Sequence, residues 1–132
     1  MSVANVDVVR RAYEAWNRGD PEAAIDLLDP EVEWTLPAHF PDAETWRGRD
    51  RVIAGLRTVS ESFDSLNLEL HELIDAGDRV VALVHIQGRA AVTGIDLAGM
   101  GVDAHVWTLR AGRAVSVRMY GGTDEALAEI GR

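Results

Sequence analysis

A single change of hydrophobic period constrains this chain most. Apolar residues keep helical spacing, with one early strand between, as far as Phe63, and from Leu66 they alternate singly. Val6, Val9, Tyr13 and Trp16 recur at i, i+3, i+7 and i+10, which predicts one face of an amphipathic first helix. Asn17-Arg18-Gly19 ends it, with Gly19 suited to a left-handed position. Asp20 can then cap, and Pro21 can open, a short second helix running to Leu28 and stopping at Asp29-Pro30. Glu31 to Leu36 alternates strictly, a half-buried strand with Val32, Trp34 and Leu36 on one face. Pro37 to Gly48 carries Pro37, Pro41 and Gly48 and reads as a loop. Val52, Leu56, Val59 and Phe63 mark a third helix.

Leu66, Leu68 and Leu70 open the strand-forming half, and Ala76-Gly77-Asp78 supplies a hairpin turn. Arg79 to Val92 is a long strand, followed by a stretch loosened by Gly94, Gly99 and Gly101. His105 to Leu109 is another strand, Ala111-Gly112 a turn, and Ala114 to Tyr120 the last strand. Thr123 can cap a short terminal helix whose first turn holds Asp124 and Glu125. The order is helix, helix, strand, helix, then four strands in a meander. Without βαβ alternation a doubly wound parallel sheet is disfavoured, and the fold class is α+β.

The length of 132 residues suits one domain spanning 1–132. No run approaches the roughly 18 apolar residues that span a bilayer, and the N-terminus lacks the apolar core of a signal peptide. With no cysteine, disulfides and thiolate metal sites are excluded, and a cytoplasmic location is the default expectation. Only 13 basic residues stand against 22 acidic ones, for a net charge of −9, which argues against nucleic acid as a partner. No Gly-rich loop joins a strand to a helix, so no nucleotide cofactor is expected. The four histidines show neither HxH nor HxxxH spacing, so no metal site is expected either.

Four ordered segments carry a resemblance: VRRAYEAWNRGDPEAAIDLLDPEVEW, FPDAETWRGRDRV, AGDRVVALV and AHVWTLRAGRAVSVRMY. Together they cover nearly the whole chain, which resembles the SnoaL-like domains of the nuclear transport factor 2-like superfamily. That resemblance implies a cone-shaped fold, a strongly bent, mostly antiparallel sheet wrapped around helices with a pocket in its mouth. It also implies a homodimer formed through the outer face of the sheet. Relatives of this fold include ketosteroid isomerases, epoxide hydrolases, dehydratases and polyketide cyclases as well as non-catalytic proteins, so fold does not select a function.

If the resemblance holds, Tyr13, Trp16, Trp34, Leu36, His39, Phe40, Leu56 and Phe63 converge on the pocket with His105, Trp107 and Met119. Trp and Tyr suit such a site because they bury much area and keep one polar group for orientation. Trp34 and Trp46 read equally as core filling, whereas Trp107 reads as pocket. Alternation puts His105, Trp107 and Leu109 on one strand face, and sets His85 on the outer side opposite Val84 and Ile86. Buried in such a pocket, His105 is a neutral imidazole able to take a proton. Equally, it is a core histidine bonded to a backbone carbonyl or to Tyr13.

The departures from the relatives narrow the chemistry. The resemblance places a carboxylate base where this chain has Leu36, and an acid on the strand where no Asp or Glu stands between Ala104 and Arg113. Beyond Tyr120 the chain reads Gly121-Gly122, with Asp124 displaced along the sequence. Two functions remain. One is a cofactor-independent isomerase, cyclase or dehydratase for a small hydrophobic carbonyl compound, with His105 moving a proton and Tyr13 polarising the carbonyl. The other is non-catalytic small-molecule binding or dimerisation.

Overall fold

The structure, a computed structural model, describes residues 3–36, 45–90 and 102–131, and for 63–65 and 90 the backbone. Helix α1 (Val3–Asn17) is followed by a 3-10 helix (Pro21–Leu27), strand β1 (Leu28–Thr35), strand β2 (Thr45–Arg47) and helix α2 (Arg49–Glu61). Strands β3 (Phe63–Ala76), β4 (Arg79–Ala90), β5 (Val102–Arg110) and β6 (Arg113–Tyr120) form a meander, and helix α3 (Asp124–Glu129) follows. The six strands make one sheet in the order β2-β1-β6-β5-β4-β3. All neighbours are antiparallel except β1 and β6, which run parallel. The α+β class is therefore the observed one.

Register shifts bend this sheet. They fall in β1 between Leu28 and Glu33, in β3 between Asp64 and Asn67 and between Leu70 and Glu72, and in β6 between Ala114 and Ser116, opposite Thr108 and Leu109 of β5. Each extra residue adds local twist and curvature, which lets the sheet wrap over α1. Helix α1 is fixed at both ends by asparagines. The Asn5 amide donates to the Gly77 carbonyl at 2.9 Å. Asn17 donates to the Leu68 carbonyl and accepts from the Leu68 N–H, at 3.0 and 2.8 Å.

The core has two parts. On the concave face, Val9, Tyr13, Val32, Trp34, Val52, Val84, Trp107 and Val117 belong to one buried cluster between sheet and helices. On the convex face, Val81, Ala104 and Val106 are buried together with Ala126 of α3. Strand β5 is thus buried on both sides, Trp107 toward the helices and Val106 toward α3. Among the described residues no helix is long and apolar enough to cross a membrane.

Several boundaries differ from the sequence reading. Residues 21–27 are a 3-10 helix that passes directly into β1 at Leu28, and Asp20 makes no side-chain cap. Thr123 likewise makes no side-chain cap to α3; its carbonyl accepts the Leu127 N–H. Phe63 begins β3 rather than ending α2, because Ser62 closes the helix through N–H bonds to the Ser60 and Val59 carbonyls. The expected Pro37–Gly48 loop contains β2, whose three residues pair with Glu33, Trp34 and Thr35. The Gly94–Gly101 region lies outside the described residues. Gly19, at φ 78°, ends α1 as expected.

Strand β2 brings Trp46 against α2 at Gly55. A Cβ on Gly55 would lie 2.6–2.7 Å from three ring carbons of Trp46. Trp46 is buried, with the Arg51 guanidinium 5.0 Å from its ring centroid. In an open helix Gly→Ala stabilises by about 1 kcal/mol. Here overpacking, costing about 1–3 kcal/mol, outweighs that gain. Gly55→Ala is expected to lower the urea midpoint without changing the slope of the transition.

Candidate functional site

Between the concave face of the sheet and the helices lies a cavity of about 120 Å³. Helix α1 contributes Ala12, Tyr13 and Trp16; the 3-10 helix, Pro21 and Ala24; α2, Ile53, Leu56 and Val59. From the sheet come Leu28 and Trp34 of β1, Trp46 of β2, Leu66 and Leu68 of β3, Ile86 of β4, His105 and Trp107 of β5 and Met119 of β6, with Leu36 just beyond β1. No acidic side chain is among these lining residues.

Of the sequence-predicted site residues, Tyr13, Trp16, Trp34, Leu56, His105, Trp107 and Met119 all line this cavity. His39 and Phe40 lie outside the described residues, as does the side chain of Phe63. Trp46, which the sequence left open between core and pocket, is both buried and a lining residue. Ile86 was not singled out, although the alternation that turned His85 outward already turned Ile86 inward.

Three side chains at the cavity wall form a hydrogen-bonded relay. Trp107 Nε1 donates to the Tyr13 hydroxyl oxygen at 3.0 Å, and that hydroxyl lies 2.6 Å from His105 Nδ1. The Tyr13 and His105 rings lie nearly parallel, 15° apart with centroids at 6.0 Å, while Trp107 meets both Tyr13 and Trp34 edge-on. Trp34 Nε1 is occupied as well, donating to Met119 Sδ at 3.0 Å. Among the described residues, His105 Nε2 and Trp16 Nε1 are buried without a hydrogen-bond partner. These two nitrogens are the unspent polar atoms of an otherwise apolar wall.

Burial governs the protonation of the relay. It pulls the His105 pKa down from 6.5 to about 4, so the imidazole is neutral at pH 7. Burial also pushes the Tyr13 phenol upward; the Trp107 hydrogen bond partly opposes this, and the Asp103 charge adds to it. Tyr13 therefore stays protonated. An indole N–H can only donate, so the Tyr13 oxygen is an acceptor toward Trp107. If the phenol proton goes to His105 Nδ1, the ring proton sits on Nε2 and that N–H is the one polar atom of the three groups left without a partner among the described residues. The opposite tautomer, with Nδ1–H donating to Tyr13, strands the phenol proton in a buried site at a cost of about 1–3 kcal/mol. Hydrogen-bond accounting thus favours Nε2–H, a donor.

On the convex face the fold assembles a group that spacing had not revealed. One ligand-capable atom each of Glu69, His71 and His85 lie within 4.8 Å of one another. Two of these residues come from β3 and one from β4, so no local motif could announce them.

Comparisons with known proteins agree on fold and family. A model of the SnoaL-like domain matches residues 9–117. An NTF2-like protein of unknown function from Burkholderia pseudomallei is 31% identical in sequence, with 100% of each chain covered and a TM-score of 0.78. An NTF2-like protein from Burkholderia thailandensis is 30% identical, with 97% of each chain covered and a TM-score of 0.79. The uncharacterized protein Rv0034 of Mycobacterium tuberculosis is 29% identical over 90 residues, 67% of this chain and 69% of that protein.

Proposed function

We propose that this chain, which belongs to the SnoaL-like domain family, binds a small neutral carbonyl compound and polarises its oxygen through the N–H of neutral His105. The observation that carries this reading is the Trp107–Tyr13–His105 relay in a wall with no acidic lining residue among the described residues. The relay spends the proton of Tyr13 and one of its lone pairs, so the hydroxyl has no proton left to donate to a ligand. Tyr13 then acts as a positioning residue, and His105, expected from sequence to accept a proton, becomes the donor. Trp16 Nε1 offers a second donor for a ligand with two oxygens.

Size and charge narrow the ligand class. A dry apolar cavity of about 150 Å³ accommodates benzene, so about 120 Å³ limits the ligand to one ring at most. A carboxylate would be buried without a counter-charge among the lining residues, which is costly. A neutral cyclic ketone, enone or quinone fits better. Polarising its carbonyl favours enolisation, ring closure or loss of water without a cofactor, and one preorganised donor is worth about 10²–10³-fold. The lack of an acidic lining residue among the described residues to act as base also favours a second reading, binding without turnover. An assay of each bound ketone for isomerisation or dehydration separates the two.

Thermal shift against single-ring ketones and hydrocarbons of the same shape tests the proposal. A ligand at about 100 times its Kd stabilises by about 2.7 kcal/mol, a shift of several degrees for a domain this size. One added hydrogen bond of about 1 kcal/mol predicts that ketones bind roughly 5–10-fold tighter than their hydrocarbon counterparts. Equal affinities would remove the donor role, and no shift from any compound would remove the binding reading.

A further inference from the structure

We propose that Glu69, His71 and His85 on the convex face of the sheet form a binding site for a divalent d-block cation such as zinc. Glu69 on β3 stands opposite His85 on β4 in the strand register. His71 is two residues beyond Glu69, where the β3–β4 register shifts between Leu70 and Glu72. The extra residue of that bulge re-aims its side chain, and His71 Nε2 meets Glu69 Oε1 at 3.0 Å. The His71 and His85 rings meet edge-on, with centroids 5.8 Å apart.

Two imidazoles and one carboxylate are the donor set of zinc and its neighbours rather than of magnesium or calcium. Ligand atoms of a tetrahedral zinc site with bonds near 2.1 Å lie about 3.4 Å apart. The three atoms here, within 4.8 Å of one another, reach that spacing by small side-chain rotations, since Glu69 and His71 are about half exposed. The carboxylate is already oriented: Gln87 Nε2 donates to Glu69 Oε2 at 3.3 Å, and Asn67 Nδ2 donates to Gln87 Oε1 at 3.1 Å. Such outer partners hold a ligand in place for a metal. Three protein ligands leave a fourth position for water. The site lies across the sheet from the cavity, because Leu68 and Ile86, the cavity-lining neighbours of Glu69 and His85, face the other way.

Calorimetric titration of zinc into tag-free, chelator-treated protein tests this site, with magnesium as the comparison cation. One zinc per chain and no magnesium binding are expected. Gln87→Ala should weaken zinc binding by about 10-fold, and His71→Ala, His85→Ala and Glu69→Gln by more, with unchanged far-ultraviolet circular dichroism. Zinc binding that survives both histidine substitutions in folded protein, or no stoichiometric binding to the unaltered chain, would overturn the assignment.

Discussion

Lowering the pH from 7 to 4 is expected to cost this fold about 3 kcal/mol through His105 alone. The imidazole has a pKa of about 4 in the native state, against 6.5 in the unfolded chain, because burial disfavours the charged ring. Between those values the unfolded state binds a proton that the native state does not, so stability rises with pH across that window. The contribution is fully present above about pH 6.5 and is lost as the pH falls toward 4. The shift corresponds to about 3 kcal/mol at 1.36 kcal/mol per unit. His105→Gln keeps an acceptor for the Tyr13 hydroxyl and cannot titrate. Urea unfolding of both proteins at pH 7 and pH 4.5 should show a steeper loss in the unaltered chain, and equal losses would show that His105 is not buried neutral.

Tyr13→Phe is expected to destabilise by about 2–4 kcal/mol, far more than the loss of one exposed hydroxyl. The ring remains and the packing with it. What disappears is the oxygen that accepts from Trp107 and meets His105 Nδ1. Two buried polar atoms are then left unpaired, each costing about 1–3 kcal/mol. Trp107 and His105 are both essentially buried, at 2% and 1% exposure, so water cannot replace the lost partner without opening the core. Denaturant unfolding measures the effect; a change below about 0.5 kcal/mol, the range of an ordinary surface substitution, would mean that the relay does not hold the site together.

How much of this was legible depended on whether the physics is local. The face of α1, the Gly19 stop, the alternation of β5 and the turns at Gly77 and Gly112 follow from periodicity and backbone preference, and they stand where expected. Strand β2 was hidden because its three residues sit among prolines and glycines, and its pairing with Trp34 is a tertiary event. Phe63 continued the helical spacing of Val52, Leu56 and Val59, but Ser62 ends the helix first. Tyr13 and His105 could be named as pocket residues through the family resemblance. Their contact stood only as one alternative beside a backbone carbonyl, since it spans 92 positions and depends on how α1 packs against the sheet. The direction of the Tyr13–His105 hydrogen bond, on which the proposed donor role of His105 rests, required Trp107 as the third member.

Nitrogen-15 NMR of the His105 ring tests the central claim most directly, because a protonated and a bare imidazole nitrogen resonate in well-separated regions. At pH 7 the relay predicts a neutral ring with the proton on Nε2 and a bare Nδ1 facing the Tyr13 hydroxyl. Addition of a bound ketone should then shift the Nε2–H signal while leaving Nδ1 nearly in place. A ring protonated on Nδ1, or on both nitrogens, at pH 7 would contradict the account.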